Sequence, residues 1–256
     1  MNHATTLIQV PGANIITDPI FSERAGPLTW AGPKRHRAPG VCFEDLPSID
    51  IVLLSHNHYD HCDSQSLARL AKRDDPIFLA GLGTRRLLKR FDVERVRELD
   101  WWQTTSHSGV ELTFAPAQHW STRGLGDANV NLWGSFFIDA KDATFYFAGD
   151  TGWGSHFHTI AERLGRPDVA LLPIGAYEPR WFMRPQHINP AEAVDAHLAL
   201  GATRSVGIHW GTFDLTDEPH DEPPKALARA LQAKNIPADA FLALPNGGHI
   251  THLTTP

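Results

Sequence analysis

The order of hydrophobic patterns along the chain predicts an α/β fold of four layers, αβ/βα, in which two mixed β-sheets pack face to face with helices outside. Three observations carry this expectation. Strand patterns cluster and then alternate with helix patterns, and they do so in both halves of the chain. With 256 residues, 42% of them hydrophobic, there is material for a large core. No linker, low-complexity tract or residue-level repeat divides it, so a single domain over residues 1–256 is expected. Third, four strand patterns end in a metal-capable side chain, and strand ends collect at one edge of such a sandwich.

Thr5–Val10 and Asn14–Thr17 read as strands around the turn-rich Pro11-Gly12-Ala13-Asn14. The segment from Asp18 to Asp50 holds five prolines, three glycines and little periodicity. A long irregular segment inside a compact domain is usually functional. Its basic cluster, Lys34-Arg35-His36-Arg37, reads as a solvated face or as a contact for an anionic substrate. Ile51 to Ser55 form a buried strand. Asp63-Ser64 caps a helix running to Arg73, with Leu67, Leu70 and Ala71 on one face. Ile77–Ala80 is a strand, Thr84–Arg90 a helix and Arg95–Leu99 a strand. Val110–Phe114 alternates apolar and polar as a half-buried strand does. Phe136–Asp139 and Ala143–Ala148 pair as a hairpin around Lys141-Asp142. Asp168–Ile174 is a buried strand. Asn189-Pro190-Ala191-Glu192 starts a helix, with Asn as N-cap, Pro at the first helical position and Glu closing a capping box. Gly201 stops it. Ser205–Ile208 is a strand, Pro224–Lys234 a helix and Phe241–Leu244 the last strand.

Directly after the Ile51–Ser55 strand come His56, His58, Asp60 and His61, within six positions. Three imidazoles and a carboxylate crowded into one turn call for a divalent cation, and this donor set is typical of zinc. In an extended turn His56 and His58 project to the same side and can grip one ion, while Asp60 and His61 reach a second. The HxHxDH spacing resembles the signature of the metallo-β-lactamase superfamily. The other strand ends then supply His119, Asp150 and His209. His119 completes the first site with His56 and His58. His209 completes the second with Asp60 and His61. Asp150 bridges both, since a carboxylate has two oxygens, and each ion keeps an open position for a shared water. His156 and His158 repeat the HxH spacing within a helical stretch, where i and i+2 do not face each other, and are expected to be decoys. His3, His36, His107, His197, His220, His249 and His252 are expected to be ordinary structural or surface residues, and Cys62 a small buried one.

Further stretches resemble the N-acylphosphatidylethanolamine-hydrolysing phospholipase D family. They are Thr17-Asp18-Pro19-Ile20-Phe21, Gly32-Pro33-Lys34-Arg35, Gln118 to Gly124, Leu132 to Phe136, Phe147 to Gly152, Tyr177 to Met183, His187 to Val194 and His209 to Phe213. The resemblance runs in order over nearly the whole chain. It implies a two-zinc hydrolase, with manganese or iron as alternative metals, acting on a phosphodiester. It also implies that His187 lies at the site as a phosphate ligand or proton donor to the leaving alcohol. Asp60, Asp150 and His187 are the expected catalytic residues. Trp181, Phe182 and Met183, with His187, are the expected substrate contacts, the first three as an apolar wall for an acyl chain. In the family an apolar strand precedes the segment matching Met1-Asn2-His3-Ala4-Thr5, so that strand is expected to be missing or the true start to lie upstream.

The net charge of -6 argues against nucleic acid as substrate. No apolar run of spanning length and no signal peptide is evident, so a soluble, cytoplasmic protein is expected, with peripheral membrane contact and homodimerisation left open. Two cysteines suit a reducing compartment. Two competing readings use the same ligands. One is a lactonase or another hydrolase of small esters. The other is a non-enzymatic metal-binding or diiron redox-type protein. Four positive charges from two ions, less two from the carboxylates and one from hydroxide, leave the centre about one unit positive. That favours an anionic phosphodiester over a neutral lactone.

Overall fold

The computed structural model describes residues 1–251; His252 therefore lies outside the described residues. The first half of the chain builds a five-stranded sheet. Strand β1 (Thr6–Val10) turns through Pro11-Gly12 into antiparallel β2 (Ala13–Thr17), with Gly12 at φ +88°. Strands β3 (Ile51–Leu54), β4 (Ile77–Gly81) and β5 (Val96–Leu99) follow in parallel, giving the order β1-β2-β3-β4-β5. Parallel neighbours need crossovers. Helix α1 (Ser64–Asp74) carries the chain from β3 to β4, and α2 (Arg85–Lys89) carries it from β4 to β5.

The second half builds a seven-stranded sheet in the order β12-β11-β10-β9-β8-β7-β6. Strands β6 (Thr104–His107), β7 (Val110–Ala115), β8 (Ser135–Asp139) and β9 (Thr144–Phe147) form an antiparallel meander. Strands β10 (Val169–Pro173), β11 (Arg204–Ile208) and β12 (Phe241–Leu242) extend it in parallel. Their crossovers carry α3 (His156–Leu164), α4 (Arg180–Met183), α5 (Pro190–Leu200) and α6 (Glu222–Ala233).

The alternation of side chains along a strand sorts the core into three layers. Ile51 and Leu53 of β3 meet Phe114, Phe136, Phe147 and Leu171 in the cluster between the two sheets. Val52 and Leu54, pointing the other way, pack with Leu67 and Leu70 of α1 and Leu88 of α2. On the far side, Tyr146, Ala170 and Leu172 pack with Phe157 of α3, Val194 of α5 and Leu227 of α6. Both sheets are thus covered on both faces, which is why β3 and β10 read as unbroken apolar runs. The four-layer arrangement and both mixed sheets are as expected from the sequence.

Local chemistry fixes the helix ends. Asp63 caps α1 by accepting from the Ser66 N–H. The capping box of α5 is complete: Asn189 accepts from the Glu192 N–H at 2.9 Å and Glu192 accepts from the Asn189 N–H at 3.1 Å. Gly201 ends that helix in the left-handed conformation, φ 62°. The strand missed from sequence is β6, and the short helix α4 was not read as a helix either. The residues of β6, Thr-Thr-Ser-His, are polar and half exposed because it is an edge strand, so no apolar pattern marks it. The basic cluster also has a structural task. Arg35 donates to the carbonyls of Ser22 and Ile20 and to Asn2 Oδ1, pinning the Asp18–Asp50 segment to the N-terminus. Lys34 pairs with Glu23 at the surface.

Candidate metal centre and cleft

The C-terminal ends of four strands converge. Strand β3 runs into His56-Asn57-His58-Tyr59-Asp60-His61, β7 leads to His119, β9 to Gly149-Asp150, and β11 to His209. Two groups form. In the first, His56 Nε2 lies 2.9 Å from His58 Nδ1, which lies 3.3 Å from His119 Nε2. In the second, His61 Nε2 and His209 Nε2 are 3.1 Å apart, and each is 3.3 Å from Asp60 Oδ2. One atom faces both. Asp150 Oδ2 is 3.1 Å from His61 Nε2, 3.2 Å from His209 Nε2, and 3.9 Å from both His56 Nε2 and His119 Nε2. Asp150 Oδ1 is buried without a partner.

The donor chemistry fits divalent cations. His61 Nδ1 donates to Asp18 Oδ2 at 2.6 Å, and His119 Nδ1 donates to the Gln186 carbonyl at 3.0 Å. Those partners leave the Nε2 atoms as lone pairs, aimed at other acceptors across about 3 Å. Lone pairs so arranged repel unless a cation lies among them. The electrostatics agree. Burial and the neighbouring imidazoles hold His56 and His119 well below the usual histidine range. Burial pushes His209 down too, but Asp150 and Asp60 override it and raise it to about 9; the same carboxylates raise His61. Against burial, His209, His61 and His187 hold Asp150 well below the carboxylate range. The carboxylates demand positive charge here, and a divalent ion supplies it while leaving the imidazoles neutral. Every one of the seven ligands expected from sequence lies in this cluster.

Three supporting residues were missed. His3, expected to be bland, is buried with Nε2 2.9 Å from Asp60 Oδ2 and its ring centroid 3.9 Å from that of His209. Asp18 accepts from His61 Nδ1, from the Ser55 hydroxyl at 2.5 Å and from the Ser55 N–H at 2.8 Å, fixing the imidazole and the end of β3 together. Arg123 donates to the carbonyls of Asn57 and Cys62 and lies over the Tyr59 ring, clamping the histidine turn. His3, Asp18 and His209 are all non-glycine residues at positive φ (49°, 32° and 61°). Such conformations cost about 1–3 kcal/mol each and persist where the surroundings impose them. Gly149, at φ 59°, is required as well: a Cβ there would lie 2.5 Å from Ser55 Cβ. Asp18→Asn should weaken metal binding about 10–100-fold while leaving the ligands in place, measured by equilibrium dialysis against a competing chelator. Unchanged affinity would remove Asp18 from the site.

The cluster forms the floor of an open cleft of about 610 Å³. Trp120, Leu125, Met183 and Leu215 give it an apolar rim, and His187 lines it. The His187 ring stands 5.1 Å from His119 and 5.7 Å from His209, its Nδ1 without a partner, and burial lowers it to about 4. The expected wall is only partly realised. Met183 lines the cleft, but Trp181 and Phe182 are 83% and 59% exposed on the outer side of α4 and are not among the lining residues. The reason is geometric: three consecutive residues of a helix cannot face one way.

The second HxH pair lies elsewhere. His158 is exposed, and His156 Nε2 meets Thr151 Oγ1 at 3.1 Å. His156→Ala and His158→Ala should each leave metal content unchanged by atomic absorption. Loss of an ion in either would overturn the ligand assignment. Burial lowers His156 to about 4. A depressed histidine binds fewer protons folded than unfolded, so its contribution is complete above about pH 6.5 and is lost as pH falls toward 4. The loss is up to about 3 kcal/mol. Denaturant melts of wild type and His156→Gln should diverge over that window, with the variant less pH-sensitive. Cys62 is buried and its thiol is pushed up to about 11 by burial, which suits a packing residue rather than a ligand.

A four-layer αβ/βα fold with histidine and aspartate ligands gathered at one sheet edge defines a metallo-β-lactamase-type, metal-dependent hydrolase. Residues 13–210 match the family model described as "Beta-lactamase superfamily domain". The chain is 38% identical over 262 residues to "N-acyl-phosphatidylethanolamine-hydrolyzing phospholipase D 1" of Caenorhabditis elegans, covering 98% of this chain and 74% of that protein. It is 38% identical over 223 residues to the mitochondrial enzyme of the same description from Saccharomyces cerevisiae, covering 84% of this chain and 47% of that one. The chain belongs to the N-acyl-phosphatidylethanolamine-hydrolysing phospholipase D family of the beta-lactamase superfamily. Its fold is shared with an isothiocyanate hydrolase from Delia radicum gut bacteria, at TM-score 0.75, 21% identity, and coverage of 98% of this chain and 97% of the other.

Proposed function

We propose that this chain is a dinuclear zinc hydrolase that cleaves the phosphodiester of N-acylphosphatidylethanolamine or of a similar N-acylethanolamine phosphodiester. The observation that carries the reading is Asp150 Oδ2, which faces two histidine groups at the floor of an apolar-rimmed cleft. His56, His58, His119 and Asp150 would hold one ion, and Asp60, His61, His209 and Asp150 the other. When bound, two adjacent ions supply Lewis acidity and a water of lowered pKa. The chain's own residues supply position. Asp18 and the Gln186 carbonyl lock the tautomers of His61 and His119. His187, which lines the cleft with its Nδ1 free of protein partners, would donate to a substrate oxygen. Trp120, Leu125, Met183 and Leu215 would shed water against an acyl chain. Among the described residues no helix is long and apolar enough to cross a membrane.

The experiment has two parts. Metal analysis of the purified chain should find two zinc ions. Turnover of a panel of phosphodiesters, lactones and thioesters, with zinc present, should favour the phosphodiesters. Faster turnover of lactones would replace this reading with a lactonase, and redox-active iron without hydrolysis would replace it with a redox protein.

A further inference from the structure

We infer that His36, Asp214 and His220 form a third metal site, on the surface and outside the hydrolytic centre, for a borderline divalent cation such as Zn²⁺. His36 Nε2 lies 2.6 Å from Asp214 Oδ2, and His220 Nδ1 lies 3.1 Å from Asp214 Oδ1. The two imidazole rings are 3.7 Å apart between centroids, and one donor atom from each of the three residues falls within 4.8 Å of the others. Two nitrogens and one carboxylate oxygen at this spacing match the three-ligand set that binds zinc with water in the fourth position. A divalent ion would join all three donors.

Besides these contacts, the segments that carry the donors are tied together by backbone. The His36 N–H donates to the Thr212 carbonyl at 2.8 Å, and Arg35 and Phe213 form a β-bridge beside it. The Arg35 side chain is anchored on Ser22, Ile20 and Asn2. The Arg37 guanidinium lies over the Trp210 ring, 5.7 Å from its centroid. Two segments distant in sequence thus arrive with their side chains already adjacent, which lowers the ordering cost of binding an ion. The side chains of His36 and His220 are 37% and 38% exposed, so the site is open to ions in solution. An ion here would staple the Asp18–Asp50 segment to the loop after β11. That loop reaches the hydrolytic centre, because Thr212 Oγ1 accepts from the His3 N–H at 2.9 Å and the His3 carbonyl accepts from the His209 N–H at 2.9 Å.

The test counts ions. Isothermal titration with Zn²⁺ alone is run on wild type, on the double variant His36→Ala/His220→Ala, and on His56→Ala/His58→Ala, which cripples the hydrolytic centre. Wild type should show one more ion than the surface variant, bound at least tenfold more weakly than the others. The His56→Ala/His58→Ala chain should keep that weak ion. The surface variant should keep its tight ions and its circular dichroism spectrum. Equal stoichiometry in wild type and the surface variant, or a weak ion that survives loss of both histidines, would overturn the inference. Loss of the tight ions in His56→Ala/His58→Ala with the weak one retained would show that the surface ion binds independently, so either site can fail without the other.

Discussion

Changing Asp150 to asparagine should reduce kcat about 10²–10³-fold, the range for removing one preorganised electrostatic partner from a water-poor site. The amide keeps the shape but halves the carboxylate charge of the two groups, since Asp60 becomes the sole ionised ligand. Both groups rely on the same oxygen, at 3.1–3.2 Å on one side and 3.9 Å on the other. Metal content should therefore fall on both sides rather than on one, and the two ions should leave together on titration with a chelator. The fold should persist, because the inter-sheet cluster around Leu53, Phe114 and Phe147 does not depend on Asp150. Kinetics, atomic absorption and far-UV circular dichroism on one preparation check this. Full activity in Asp150→Asn, or the loss of a single ion with the other untouched, would refute the shared-oxygen arrangement.

Acyl-chain length should govern affinity, and His187 should govern turnover. Trp120 and Leu125 come from the loop between β7 and β8, Met183 from the short helix α4 and Leu215 from the loop after β11, and together they rim the cleft. Each methylene buried against that rim is worth up to about 0.8 kcal/mol, so KM should fall severalfold for every methylene added until the rim is covered. Met183→Ala and Leu215→Ala should flatten the dependence, whereas Trp181→Ala, at a residue 83% exposed, should not. His187→Ala should lower kcat with both ions still bound, about 10²-fold for a general acid or hydrogen-bond donor. The loss should be largest for substrates with poor leaving alcohols. Indifference to both chain length and His187, with faster turnover of lactones, would move the assignment to the lactonase reading.

How legible this was in the sequence depended on whether a residue's partner was near it. His56, His58, Asp60 and His61 announce themselves by spacing after an apolar strand. His119, Asp150 and His209 could be found because each closes a strand pattern. His3 and Asp18 could not, since each acts on a residue 57 or 43 positions away and stands alone in its own neighbourhood. Asp18 sits inside a stretch that matched the family, yet nothing local shows that it orients His61. The apolar rim was missed for the same reason: Trp120 and Leu125 are isolated apolar residues in the loop between β7 and β8, and Leu215 is one in the loop after β11. Trp181-Phe182-Met183 misled in the opposite direction. Three adjacent apolar residues suggest one surface, but a helical turn distributes them around its axis, and only Met183 reaches the cleft.

The ligands are drawn from both sheets, His56 to His61 from the end of β3 and the others from β7, β9 and β11. His61 and His209 sit 3.1 Å apart although 148 positions separate them in the chain. The complete ligand set therefore exists only when both halves have folded and docked. Ions held there would tie the two halves together across their seam, so bound metal should raise the stability of the docked fold, and a chelator should lower it.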